Sequence, residues 1–209
     1  VDESGYVVEC FVTTILWLGW ARVIVKSDNE PAIVKLVNET LKALKVSGLD
    51  QASAEGSVPY DPQSNGAAES AVKMVKGSLR ACHRSLEDQL GVELPATHPI
   101  MCWLVRHVAA MRTLRVRGSD GLTPYQRVKG RTTEGPKVIG FGERCRFKKR
   151  AHEPNTPESR DTWRTGHWLG LDPKTGQYVL WDGDSIKMCR TITRLPDGEK
   201  WQHESLSQL

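Results

Sequence analysis

Residues 23–31 read Val-Ile-Val-Lys-Ser-Asp-Asn-Glu-Pro, and this stretch decides the fold class. Its first three residues are apolar and β-branched, which predicts a short buried strand of parallel type. The Asp-Asn-Glu-Pro segment is typical of a helix start, because Asx side chains cap helices and proline suits the first turn. Asp28 is therefore expected at the carboxyl end of a strand, where open α/β sheets place their ligands.

Helical patterns lie on both sides of this strand. Apolar residues recur at helical spacing between residues 6 and 20, and again from 33 to 44. Helix, strand and helix in turn predict an α/β chain. Residues 52–66 are polar and rich in Ser, Gly and Pro, which predicts a loop. Further helices are predicted over residues 67–90, 99–113 and 123–128.

After residue 130 the helical pattern gives way to short strand-like runs. The predicted strands occupy residues 138–139, 144–147, 168–171, 177–181 and 186–192. Asp-Pro-Lys-Thr-Gly at 172–176 and Asp-Gly at 182–183 are turn signals between them. We therefore predict an α/β domain over residues 1–130 and a small β-barrel domain over residues 131–209, with a flexible excursion at residues 152–161.

The composition of the 209 residues, 39% hydrophobic and 26% charged, is typical of a soluble globular protein. No stretch approaches the roughly 18 apolar residues of a membrane span, and no secretory segment is predicted. The chain does not begin with Met, so a fragment or a processed product is expected. Its five cysteines have no C-x-x-C spacing, which favours reduced thiols buried as small hydrophobes over a zinc site. His98, Trp103 and His107 are expected to be packing residues.

Glu69 falls in the first turn of the helix predicted over residues 67–90, where the helix dipole favours an anion. At about 100° per residue, the helix places Glu69 on one face with four basic residues, Lys73, Lys76, Arg80 and Arg84. A separate stripe is apolar and consists of Ala68, Val72, Val75, Leu79, Cys82 and Leu86. A carboxylate followed by a basic row suits a metal-binding acid beside a polyanionic backbone. The alternative is that Asp28 and Glu69 only cap helices, and that the charged face is only solvated.

A second concentration of positive charge lies between residues 142 and 150. It contains one acid, Glu143, and five bases: Arg144, Arg146, Lys148, Lys149 and Arg150. This segment predicts either a phosphate-binding surface or a strand edge that charge protects from aggregation. The tryptophans that follow, Trp163, Trp168 and Trp181, are expected in the core of the small barrel. The alternative is that one of them stacks on a base.

Four motifs, in this order, resemble the Asp-Asp-Glu integrase family. Residues 23–31 around Asp28, and DPQSNGAAE ending at Glu69, resemble the segments that carry the family's second and third acids. The 40 residues between the two acids are near the family's usual gap. GLTPYQRVKGR at 121–131 resembles the Thr-Pro-Tyr element of LTR-retrotransposon integrases. Phe141-Gly142 and GHWLGLDPKTGQYVLWD at 166–182 resemble the copia type.

The resemblance implies a ribonuclease H-like integrase core from a retrotransposon polyprotein, which trims DNA ends and joins them to target DNA. Three acids of the family hold two divalent metals, Mg²⁺ or Mn²⁺, about 3.5–4 Å apart around the scissile phosphate. Asp28 and Glu69 are the implied catalytic residues and metal ligands. Lys73 and Lys76 match DNA-contacting lysines of the family. The full set of predicted nucleic-acid-binding residues is Gln63, Asn65, Lys73, Lys76, Arg80, Arg144, Arg146, Lys148 and Lys149. An active full-length form is expected to be a nuclear homo-oligomer.

The chain departs from the family at its start. The 27 residues before Asp28 read mainly as one helix and hold no match to the family's first catalytic Asp or to its zinc-binding domain. We therefore expect a truncated core that lacks its first strands and is inactive by itself. Three alternatives stay open: a nucleic-acid-binding relic of a mobile element, a transposase or nuclease of the same superfamily, and an α/β domain with no nucleic-acid role.

Overall fold

The structure, a computed structural model, describes residues 5–49, 51–58, 65–132, 139–148 and 163–206. The helices in these ranges are α1 Tyr6–Leu18, α2 Pro31–Val46, α3 Gly66–Leu90, α4 Ile100–Arg115, α5 Pro124–Lys129 and α6 His203–Leu206. The strands are β1 Arg22–Ser27, β2 Gln51–Gly56, β3 Arg144–Lys148, β4 Trp163–Leu171, β5 Tyr178–Trp181, β6 Ile186–Cys189 and β7 Ile192–Arg194. The predicted mixed α/β class is confirmed. Within the described ranges no helix has both the length and the apolar character needed to cross a membrane.

Contacts divide the chain into two compact units, Val1–Lys73 and Met74–Leu209, and the division falls within α3. The predicted domain boundary after residue 130 stays a prediction. The first unit contains β1 and β2, which pair in parallel from Arg22 opposite Gln51 to Ser27 opposite Gly56. The predicted loop over residues 52–66 is therefore wrong at its start, because residues 52–56 are part of β2.

The core of the first unit lies on one face of β1. Val23 and Val25 pack against a buried cluster of Val12 and Ile15 from α1 and Leu44 from α2. Ile24 points to the other face and is 66% exposed. The prediction of a buried strand is thus wrong, because among the described residues helices cover only the face that carries the two valines.

The second unit contains an antiparallel sheet with the strand order β6-β5-β4-β3-β7. The predicted run over residues 186–192 divides into β6 and β7, since β7 leaves β6 and pairs with β3 at the far side of the sheet. Among the described residues the edge strands β6 and β7 do not pair with each other. The predicted barrel is therefore not found among the described residues, whose five strands form an open sheet. Ile139 lies outside any strand, and Val138 and the predicted excursion at 152–161 lie outside the described residues.

Two buried clusters hold the second unit together. The first joins α3 and α4 to one face of the sheet and is formed by Leu86, Leu94, Ile100, Leu104, Phe141, Leu169, Val179 and Leu206. The second covers the other face and contains Trp168, Leu180, Cys145 and Phe147. Trp168 is a core residue as predicted, whereas Trp163 is only half-buried. All five cysteines are free, but Cys10 and Cys102 are exposed, so the prediction of buried thiols is wrong for these two.

His107 is a packing residue, as predicted. It is 8% exposed, and its ring centroid lies 5.0 Å from that of Trp168 and 5.1 Å from that of Phe141. Its Nδ1 has no hydrogen-bond partner among the described residues. Gly170 in β4 lies next to the ring, since a Cβ at Gly170 would be in ordinary contact with Nδ1, at 3.4 Å. The imidazole therefore sits in a nonpolar contact between α4 and the sheet.

This burial predicts a loss of stability in mild acid. It lowers the pKa of His107 from 6.5 to about 4, because the charged form is poorly solvated there. The unfolded chain then binds the proton more readily than the folded chain between these pH values. The contribution of the neutral imidazole to the free energy of unfolding is fully present above pH 6.5. It falls by about 3 kcal/mol as the pH drops towards 4. Urea unfolding at several pH values in this range should show that the free energy of unfolding of His107→Leu depends less steeply on pH than that of the wild type. Equal slopes in the two proteins would contradict the assignment.

Candidate nucleic-acid interface

Asp28 directly follows β1, as predicted, and is partly buried. Its Oδ1 accepts a hydrogen bond from the backbone N–H of Glu30, at 3.3 Å. Glu30, not Asp28 or Asn29, is the N-cap residue of α2, and no side-chain hydrogen bond caps this helix. The Asn29 amide instead donates to the carbonyl of Ser57, at 3.0 Å, and so links the ends of β1 and β2. Asp28 is therefore not the N-cap residue of α2, and its carboxylate binds the backbone N–H of the residue that is.

Glu69 lies in the first turn of α3 and is exposed. No other described side chain pairs with its carboxylate. Asp28 and Glu69 belong to the same compact unit, Val1–Lys73. Asn65 immediately precedes α3 and is partly buried, while Gln63 lies outside the described residues. Glu69 thus has the exposure and the free oxygens that a ligand-binding carboxylate needs.

The basic row of α3, defined as Lys73, Lys76, Arg80 and Arg84, is exposed along its whole length. None of its members forms an ion pair with another described residue. The contacts of α4 lie on a different side of the helix, where Arg112 Nη1 donates to Ser78 Oγ at 3.2 Å. Ser78 is about 160° around the helix from Arg80. The basic row is therefore directed away from α4.

The apolar stripe predicted for α3 is buried only in its second half. Leu86 is 2% exposed, and Leu79 and Cys82 pack against the first core cluster. Val72, by contrast, is 52% exposed. Burial along the apolar stripe is therefore uneven, because the first core cluster covers only the end of α3 that carries Leu79, Cys82 and Leu86.

The second basic segment forms β3, which alternates between its two faces. Cys145 and Phe147 are buried, whereas Arg146 and Lys148 are exposed and Arg144 is half-buried. Strand β3 pairs with both β4 and β7 and is an inner strand of the sheet. The strand-edge alternative is therefore wrong, since an inner strand has no free edge to protect. Lys149 and Arg150 lie outside the described residues.

The lone acid of this segment has a structural role. Glu143 is fully buried, and its carboxylate accepts hydrogen bonds from Arg194 Nε at 2.6 Å and Nη2 at 2.8 Å. Its Oε2 also accepts the backbone N–H of Gly140, at 3.0 Å. These hydrogen bonds raise the pKa of Arg194. Sequence reasoning missed the pair, although a single acid among five bases was a signal that could have revealed it. Glu143 and Arg194 line a cleft of about 590 Å³, but their charged groups pair with each other.

The described residues do not form a complete metal centre. Among them, no three His, Cys, Asp or Glu side chains come together as a group that could hold a metal ion. Asp28 and Glu69 supply at most two of the three carboxylates that the family's two-metal chemistry uses. The described residues therefore do not fit a two-metal site by themselves.

Comparison with protein-family models gives no match, and comparison with curated proteins gives none either. The integrase interpretation accordingly depends on the motifs and on the placement of Asp28, Glu69 and the basic row of α3.

Proposed function

We propose that this chain binds duplex DNA along α3, as part of a copia-type Asp-Asp-Glu integrase. The observation that carries the proposal is the basic row of α3, which is exposed and unpaired among the described residues. Unpaired cations at helical spacing match the phosphate backbone, which attracts protein mainly through charge. Glu69 at the start of the same helix would place a carboxylate next to the bound backbone.

A ribonuclease H-like core is part of the same proposal. It is supported by the parallel pair of β1 and β2, by the helices packed on β1, and by Asp28 at the carboxyl end of that strand. Asp28 and Glu69 would be two ligands of Mg²⁺ or Mn²⁺. The active full-length form would be a homo-oligomer that works in the nucleus.

A second candidate function is a nucleic-acid-binding relic of a mobile element, which holds DNA without cutting it. It is favoured by the absence of a group of three metal ligands among the described residues. The two candidates share DNA binding and differ in the role of Asp28 and Glu69.

The charge of Glu69 provides a direct test. We expect Glu69→Gln to bind duplex DNA about two- to fivefold more tightly without added metal, because it removes a repulsive charge beside the basic row. Asp88→Asn is the matched control, since Asp88 is an exposed acid near the other end of α3. Fluorescence anisotropy with a labelled duplex measures the difference. If the two variants gain affinity equally, or neither gains any, DNA does not approach the start of α3.

We also expect no Mg²⁺-dependent strand transfer by the purified chain, because its described residues bring no three metal-ligating side chains together. Strand transfer that Glu69→Gln abolishes would overturn this expectation and exclude the relic.

A further inference from the structure

One face of the sheet has an exposed end, which carries two rows of side chains. Arg146 lies opposite Thr165 of β4 and Thr193 of β7. Lys148 lies opposite Trp163 of β4, and its backbone N–H donates to the carbonyl of Thr191 at 3.1 Å. Directly opposed residues of antiparallel strands point to the same face. We call this surface the Lys148 patch; it consists of Arg146, Lys148, Trp163, Thr165, Thr191 and Thr193.

The Lys148 patch is accessible and positively charged. Arg146, Lys148, Thr191 and Thr193 are exposed, and Trp163 and Thr165 are half-buried. No acid belongs to the patch, and no described carboxylate pairs with Arg146 or Lys148. Further along the same face, Leu169 and Val179 pack into the core formed with α3 and α4. Among the described residues, the face therefore has an apolar end that α3 and α4 cover and a basic end that none of them covers.

The chemistry of the Lys148 patch matches a nucleic acid with unpaired bases. Two cations and three hydroxyls are donors for phosphate oxygens. An indole on a sheet surface offers a flat apolar ring on which a base can stack, which requires that the base is not held in a duplex. A duplex would use the charges but not the ring.

We propose that the Lys148 patch binds single-stranded nucleic acid, with a base stacked on Trp163 and the flanking phosphates held by Arg146 and Lys148. This site is separate from the duplex-binding row proposed on α3 and uses different residues. It also gives a role to Trp163, which the sequence predicted in the core of the small barrel.

The test is binding of labelled fifteen-nucleotide oligothymidylate to the full chain, measured by fluorescence anisotropy. We expect Trp163→Ala to weaken binding by about five- to a hundredfold, whereas Trp163→Phe keeps most of the affinity. Affinity for a labelled duplex should change less than twofold in both variants. The corresponding oligouridylate shows whether the strand is RNA or DNA, and either preference agrees with the proposal.

The neighbouring residue Arg164 provides a control for the charges. It lies opposite the buried Phe147, hence on the other face of the sheet, and its Nη1 is 3.6 Å from Asp182 Oδ2. The salt slope is the slope of log affinity against log salt concentration. We expect Arg146→Gln combined with Lys148→Gln to reduce this slope for oligothymidylate by about 1.4, since each phosphate contact of a single strand contributes about 0.7. Arg164→Gln should leave the slope unchanged.

Two results would overturn the proposal. The first is that Trp163→Ala binds oligothymidylate as tightly as the wild type. The second is that Arg164→Gln reduces the salt slope as much as the double variant does. Neither result affects the α3 proposal, because that proposal is measured with duplex DNA. Circular dichroism of each variant verifies that the sheet is folded.

Discussion

Replacing Lys76, Arg80 and Arg84 together by glutamine is expected to make duplex DNA binding much less sensitive to salt. The three side chains are exposed on one face of α3 and have no described ion-pair partner. Each phosphate contact contributes about 0.9 to the slope of log affinity against log salt, so three lost contacts reduce the slope by about 2.7. Between about 50 and 200 mM salt, the wild type should lose about 40-fold more affinity than the variant.

The control for this experiment removes the same charge from another helix. Lys35, Lys42 and Lys45 are exposed on α2, and Lys35 lies 4.0 Å from Glu39. We expect the triple glutamine variant of these lysines to have the wild-type salt slope to within about 0.9, the contribution of one phosphate contact. Equal slopes for the two triple variants would mean that net charge, not the row on α3, attracts DNA. The proposed function would then be wrong.

Arg194→Met is expected to lower the free energy of unfolding by about 2 kcal/mol. The substitution leaves the carboxylate of Glu143, which is fully buried, without its charged partner. Breaking a fully buried pair costs roughly 3–5 kcal/mol, but the Arg194 side chain is 43% exposed, so water moderates the loss. Urea unfolding monitored by tryptophan fluorescence measures the change.

Two further variants identify the cause of that loss. Glu143→Gln combined with Arg194→Met removes the unpaired charge and should recover more than half of the lost stability. Arg127→Met breaks an Arg–Asp pair of similar geometry with Asp120, but both of its partners are exposed, so we expect a much smaller loss. If the Arg194 and Arg127 variants lose the same stability, burial of Glu143 is not the cause.

Most helices were predictable because their information is local. The apolar spacing between residues 33 and 44 predicts α2, and the structure places that helix at Pro31–Val46. Helix α5 also follows from neighbouring residues, since Thr123 and Gln126 form a capping box. Strand β2 was missed for the opposite reason. Its sequence, Gln-Ala-Ser-Ala-Glu-Gly, has no β-branched residue, and it is a strand because it pairs with β1.

The candidate site divides in the same way. The sequence alone determined that Glu69 and the basic row share one face of α3, because 3.6 residues per turn fix which side chains align. Likewise, it determined that Asp28 follows a strand.

Tertiary structure decided which of these faces is exposed to solvent and which residues lie beside the basic side chains of β3. Strand partners are distant in sequence, so no local pattern could predict that Trp163 lies opposite Lys148 or that Thr193 lies opposite Arg146. Burial of Glu143 against Arg194 is non-local for the same reason: the low dielectric that makes their pairing matter exists only once the sheet has formed.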